Sequence, residues 1–257
     1  MRVHRRVDGT GAGLLLVNSL GAVLGLWEPQ VGGLGARRRL VRFDQRGHGG
    51  TPAPQGPYTI EELAGDALEL LDGLGLERVS ICGLSIGGAV ATWIAANARE
   101  RVDRLVIASA GPRFATPEMW QERAAAVRDG GTEAVADAVL SRWFTPAFAA
   151  ARPDVVTGLR ATFCAVQREG YAGCCEALAE WDASPHLARI AAPTLVISGA
   201  DDSVAPPDRG REIADGIAGS RFVVLDDCAH LSSVGQPEAF TAAVLEHLTA
   251  PGAQTRS

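Results

Sequence analysis

Six short apolar runs, each bounded by turn residues and separated by longer stretches, set the tightest limit on how this 257-residue chain folds. They are LLLV (14–17), RLVRF (39–43), RVSIC (78–82), RLVIAS (104–109), TLVIS (194–198) and RFVVL (221–225). Runs this rich in Val, Ile and Leu fit strands buried on both faces, which calls for a mostly parallel central sheet flanked by helices. One flanking helix declares its own start. Thr59 and Glu62 have the spacing of a capping box, and Ile60, Leu63, Ala64, Ala67, Leu68 and Leu71 then recur on one face. That places a crossover helix between the second and third strands.

The alternation stops after residue 109 and resumes at Pro193. The interval is Ala-rich and carries Trp120, Trp143, Phe144, Phe148, Phe163, Tyr171 and Trp181. A compact domain does not accommodate a structureless loop of that length. The expected organisation is an α/β core built from 1–111 and 186–250, an inserted helical cap at 112–185, and a disordered tail at 251–257.

Charge and cysteine usage narrow the function. With 24 basic and 30 acidic side chains the net charge is -6, and no Lys/Arg stripe is interleaved with aromatics, so nucleic acid is not an expected partner. No uninterrupted apolar run approaches the roughly 18 residues that span a bilayer, so no membrane association is expected. Arg2, Arg5 and Arg6 ahead of GAGLLLVNSLGAVLGLW imitate a signal peptide. Asp8, Asn18 and Ser19 interrupt that pattern, and no small-residue cleavage site precedes Glu28. Five scattered cysteines without a C-x-x-C pair favour neither a disulfide framework nor a zinc site. The expectation is a soluble cytoplasmic protein.

Gly83-Leu84-Ser85-Ile86-Gly87 lies between the third strand and a helix predicted at about 86–97. Taken alone, G-x-S-x-G is an ordinary glycine turn. Between strand and helix it is the strained elbow that lifts a serine hydroxyl above the sheet. A serine needs a base to become a nucleophile, and five histidines are on offer. His4 is near the terminus, His48 orders the turn DQRGHGG, His186 precedes the fifth strand, and His247 falls in a predicted C-terminal helix. His230, in DDCAHLSS directly after the last strand, is the candidate base. The candidate acid is Asp202, which fits the Gly199 to Pro206 turn after the fifth strand; Asp201 reads as its solvated neighbour, and Asp226 and Asp227 as surface charges. An oxyanion site needs two converging amides, for which Ile86 and Leu20, the latter in Asn18-Ser19-Leu20-Gly21, are the candidates.

With these residues in place, the chain resembles the α/β-hydrolase superfamily and, within it, the 3-oxoadipate enol-lactonases of aromatic catabolism. The resemblance runs through NSLG, FDQRGHG, GPYTIEELAGD, CGLSIGG, RVDRLV, TPEMW, RWFTPAF, GYAGCCEAL, APTLVISG and AHLSSVGQP. It implies an α/β-hydrolase fold with a cap, Ser85 as nucleophile, Asp202 as acid and His230 as base. The implied substrate is a small lactone carrying a carboxylate, hydrolysed without metal or cofactor. A cation should then face the pocket; Arg113 at the cap junction and Arg142 beside Trp143 are candidates, each equally readable as a surface residue. Trp120 and Trp143 either line the pocket or form the cap core. Four positions depart from the family pattern, with Asp201, Ala205, Ser233 and Gly235 standing where histidine, threonine, asparagine and glutamate are usual. Being neighbours of the triad, they are expected to set the substrate. The competing readings are a carboxylesterase, another lactonase or a natural-product tailoring hydrolase, and, outside catalysis, a ligand sensor on the same scaffold.

Overall fold

The computed structural model describes residues 1–250, so the tail expected at 251–257 lies outside the described residues. A single sheet holds β1 (Arg5–Asp8), β2 (Gly13–Val17), β3 (Arg39–Phe43), β4 (Val79–Leu84), β5 (Val102–Ala108), β6 (Thr194–Gly199) and β7 (Arg221–Leu225). Their spatial order is β1-β3-β2-β4-β5-β6-β7. All neighbours are parallel except β1 and β3. The six apolar runs all form strands, and β2, β4 and β6 are buried along their whole length. The seventh, β1, has no apolar signature because its sequence RRVD is mostly charged and exposed. Charge on an edge strand also discourages pairing with another chain.

Helices α1 (Glu28–Gly35), α2 (Ile60–Gly73) and α3 (Ile86–Asn97) follow β2, β3 and β4 in turn. The capping box of α2 forms: Glu62 N–H donates to Thr59 Oγ1 at 3.1 Å, and Thr59 N–H donates to Glu62 Oε2 at 2.9 Å. Ten of the twelve residues of α3 are buried. A helix apolar all round belongs inside the protein, and α3 packs between α2 and the middle of the sheet.

Between β5 and β6 the chain forms α4 (Pro117–Gly130), α5 (Ala136–Leu140), α6 (Pro146–Ala151), α7 (Pro153–Cys164), α8 (Arg168–Glu180) and α9 (Ser184–Leu187). Helices α4 and α8 pack together, and Arg128 of α4 reaches both Glu169 (3.0 Å) and Glu176 (2.9 Å) of α8. Glu169 also accepts from Gly56 N–H at 2.9 Å, fastening these helices to the loop that precedes α2. An edge-to-face chain of buried rings, Trp143 to Phe163 to Tyr171, fills the interior at centroid distances of 5.6 and 5.4 Å. Helix α10 (Pro207–Asp215) follows β6, and α11 (Ser232–Gly235) and α12 (Pro237–Thr249) follow β7. Among the described residues no helix is long and apolar enough to cross a membrane.

Candidate active site

The strand order reverses between β2 and β4, and at such a switch point the loops beyond the strand carboxyl ends part to leave a crevice. Ser85 stands at that point, directly after β4, with φ 60° and ψ -120°. This is a strained conformation for a residue with a side chain, and its surroundings impose it. Ser85 N–H donates to Ala108 O at 2.9 Å, while its carbonyl accepts from Gly88 N–H at 2.8 Å. The flanking glycines let three backbones meet: a Cβ at Gly83 would sit 2.0 Å from Gly87 O, and one at Gly87 would sit 2.2 Å from Val17 O. Both positions exclude any larger residue.

His230, beyond β7, places Nε2 3.0 Å from Ser85 Oγ and Nδ1 2.9 Å from Asp202 Oδ2. A carboxylate only accepts, so Nδ1 carries the proton and Nε2 is left to accept from the serine hydroxyl. Asp202, beyond β6, is held in turn: its Oδ1 accepts from Val204 N–H at 2.8 Å and Ala205 N–H at 3.0 Å. All three side chains are buried. Asp201, Asp226 and Asp227 are exposed.

Leu20 borders the same cavity as Ser85, and Ile86 follows Ser85 directly at the start of α3. Neither N–H donates to another group among the described residues. Ile86 opens α3, where unpaired amides and the helix dipole favour negative charge. Asn18 pins the loop that carries Leu20, since its Nδ2 donates to Phe43 O at 2.8 Å and its Oδ1 accepts from Trp27 Nε1 at 2.8 Å.

Ser85, His230 and Leu20 border a cavity of about 230 Å³ whose walls are largely apolar, with Phe114, Met119, Val139 and Leu178 among them. Trp120 and Trp143 line it and are also buried, so pocket wall and packed core are one surface here. Arg142 lines it as well, from an exposed position shared with an outer groove. Arg113 does not line it. Its guanidinium is bound to Asp182 at 2.7 Å on the surface, which removes it as a cation for a ligand in this cavity.

The sequence reading missed Arg123. It lies one turn beyond Trp120 on α4, with its guanidinium carbon 4.7 Å from the centre of the Trp120 ring, and it lines the cavity without an ion pair among the described residues. Trp120 Nε1 is buried and has no hydrogen-bond partner among the described residues. The Trp-x-x-Arg spacing is visible in the sequence, but the rotation of α4 that turns both residues inward is set by packing on α8.

The four departures from the family pattern need correction too, for none of them lines the cavity. Asp201 and Gly235 face the outer groove. Ala205 is buried and meets Asp202 through its backbone N–H. Ser233 is buried, with its carbonyl accepting from Gln30 Nε2 at 2.7 Å.

Known proteins share the sequence family and the fold. Residues 14–237 match the family described as alpha/beta hydrolase fold. The 3-oxoadipate enol-lactonase 2 of Acinetobacter baylyi is 38% identical over 231 residues, covering 90% of this chain and 86% of that protein. The crystal structure of the enol-lactonase from Burkholderia xenovorans LB400 superposes with a TM-score of 0.94 at 43% identity, covering 96% of both chains. A thermophilic esterase from Thermogutta terrifontis superposes with a TM-score of 0.92 at 30% identity, over 96% of this chain and 92% of that one. The chain is a member of the α/β-hydrolase family.

Proposed function

We propose that the protein is a serine hydrolase that opens a small carboxylated lactone, and that 3-oxoadipate enol-lactone is its substrate. The observation that carries this reading is the Asp202-His230-Ser85 hydrogen-bond chain at a small, largely apolar cavity lined by two guanidiniums, Arg123 and Arg142, that have no ion pair among the described residues. The apolar wall suits the ring and a guanidinium suits the carboxylate. The enol-lactonases among its relatives support the same assignment.

In this mechanism Ser85 Oγ attacks the lactone carbonyl while His230 Nε2 takes its proton. Asp202 accepts the Nδ1–H and stabilises the imidazolium. The Leu20 and Ile86 amides, both without an internal partner, donate to the oxyanion as it forms. Collapse of the tetrahedral intermediate breaks the ring C–O bond, and the proton on His230 passes to the departing enol oxygen. That oxygen stays tethered to the acyl group because the leaving group of a lactone belongs to the same molecule. His230 next activates water to release the carboxylic acid from Ser85, and the freed enol tautomerises to the ketone. Throughout, Arg123, the more buried of the two guanidiniums, holds the substrate carboxylate.

The test is a spectrophotometric comparison of freshly generated 3-oxoadipate enol-lactone with a short p-nitrophenyl ester. Strong preference for the lactone is expected. Negligible lactone turnover beside good ester turnover would overturn the substrate assignment and leave the serine chemistry standing, whereas one slow stoichiometric cleavage would point to a ligand sensor.

A further inference from the structure

We infer that His48 is a positioning residue for the oxyanion site, holding the turn that carries Leu20 in its type II form by fixing the peptide that follows Leu20. The inference rests on the reading of Leu20 as an oxyanion donor.

Residues 19–22 form a tight turn in which Ala22 N–H donates to Ser19 O at 3.1 Å and Gly21 has φ 80°. A positive φ at the third residue is the mark of a type II turn. Types I and II differ by a flip of the central peptide, here the one joining Leu20 to Gly21. The N–H of that peptide, on Gly21, donates to His48 Nε2 at 3.0 Å. The other ring nitrogen, Nδ1, lies 3.0 Å from Arg46 O. The two partners settle the tautomer, because a backbone N–H only donates and a carbonyl only accepts. Nδ1 carries the proton, and Nε2 presents a lone pair to Gly21.

Were the central peptide to flip, the Leu20 carbonyl would replace the Gly21 N–H against that lone pair, setting two acceptors face to face. The ring is fully buried, and burial holds its pKa below the ordinary histidine value, so the neutral form that this contact requires is the one present. A second anchor from the same turn acts on the other side of Leu20: Gln45 Nε2 donates to Asn18 O at 3.0 Å. The turn is itself fixed against the inserted helices, with Gln167 N–H donating to Gly47 O at 3.0 Å and Gln167 Nε2 to Thr51 O at 3.0 Å. The peptides on either side of the one that carries the Leu20 N–H are thus both held, while that N–H has no partner among the described residues.

Two substitutions separate this role from packing. His48→Gln keeps an acceptor within reach of Gly21, and His48→Leu removes it at similar volume. Each is assayed on a p-nitrophenyl ester and on its thiono counterpart, in which C=S replaces C=O and the amides bind the developing anion poorly. His48→Leu is expected to lower kcat for the oxygen ester by about 10- to 100-fold, less than or equal to the loss of a donor, with KM little changed. Its preference for oxygen over sulfur should fall by a similar factor, and His48→Gln should recover most of both. A folded His48→Leu protein with the wild-type oxygen-to-sulfur preference would overturn the inference. If the wild-type enzyme itself shows no oxygen preference beyond that of the uncatalysed reaction, the oxyanion reading of Leu20 fails and the inference with it. Should His48→Leu not fold, His48→Met, also without a comparable acceptor, is read against His48→Gln by the same criteria.

Discussion

The guanidinium carbon of Arg123 stands 4.7 Å from the centre of the Trp120 ring, on the wall of the cavity that holds Ser85 at its floor. A charge-assisted hydrogen bond to a partly buried cation is worth about 1.5–3 kcal/mol, or roughly 10- to 100-fold in an equilibrium constant. Arg123→Met should therefore raise KM for the carboxylated lactone by about that factor and leave hydrolysis of a neutral p-nitrophenyl ester within about twofold of wild type. Arg113→Met, on the surface and paired with Asp182, should change neither. Equal losses on both substrates in Arg123→Met would assign the residue to packing.

Asp202→Asn preserves size and one carbonyl oxygen to accept from the Val204 and Ala205 amides, so the fold should survive. It loses the carboxylate that fixes the His230 tautomer. By comparison with other serine triads, kcat should drop by about 10⁴-fold with little change in KM. A loss under about tenfold would mean that another group orients His230.

Two glycine substitutions should move stability in opposite directions. A Cβ at Gly87 would meet the Val17 carbonyl at 2.2 Å, where backbone faces backbone and no side chain can turn aside. Gly87→Ala should lower unfolding stability by about 3 kcal/mol or more, or prevent folding. Gly65 lies inside α2 with open space around it, so Gly65→Ala should raise stability by about 0.5–1 kcal/mol. Urea midpoints of the two variants against wild type check both.

Stability should also fall on mild acidification. His48 and His247 are buried, and burial lowers both pKa values from the ordinary 6.5. The unfolded chain binds protons below about pH 6.5 while the folded protein resists them. Their stabilisation is therefore complete above that value and is lost as pH falls toward the lowered folded-state values, by at most about 1.4 kcal/mol per pH unit for each ring. His247, whose Nε2 donates to Pro193 O at 3.2 Å, lies outside the active site, so His247→Gln should flatten the decline without altering kcat. Melting temperatures between pH 5 and 7 decide it, and an equally steep decline in His247→Gln would remove this ring from the account.

Physical reasons separate what the sequence disclosed from what it did not. The five inner strands were legible because burial on both faces demands unbroken apolar runs, and β7, at one edge and only partly buried, was legible because RFVVL keeps such a run; β1, on the other edge and mostly charged, has none. Ser85, Asp202 and His230 could be picked out because each follows a strand carboxyl end, and a parallel sheet gathers those ends on one side. Arg123 was hidden because its direction depends on how α4 rotates against α8, which no local pattern encodes. Arg113 shows the reverse error: it is close to the site along the chain, yet its charge is already paired with Asp182. The same holds for Asp201 and Ser233, adjacent in sequence to Asp202 and near His230 but turned away from the cavity.

The most direct test is a rapid-quench reaction of the enzyme with 3-oxoadipate enol-lactone, followed by peptide mass mapping. Because the ring-opened enol stays attached, the account predicts that the peptide bearing Ser85 gains the mass of the whole lactone, with no fragment lost, and that both the adduct and turnover vanish in Ser85→Ala. Rapid turnover with Ser85 unlabelled, and undiminished in Ser85→Ala, would contradict it.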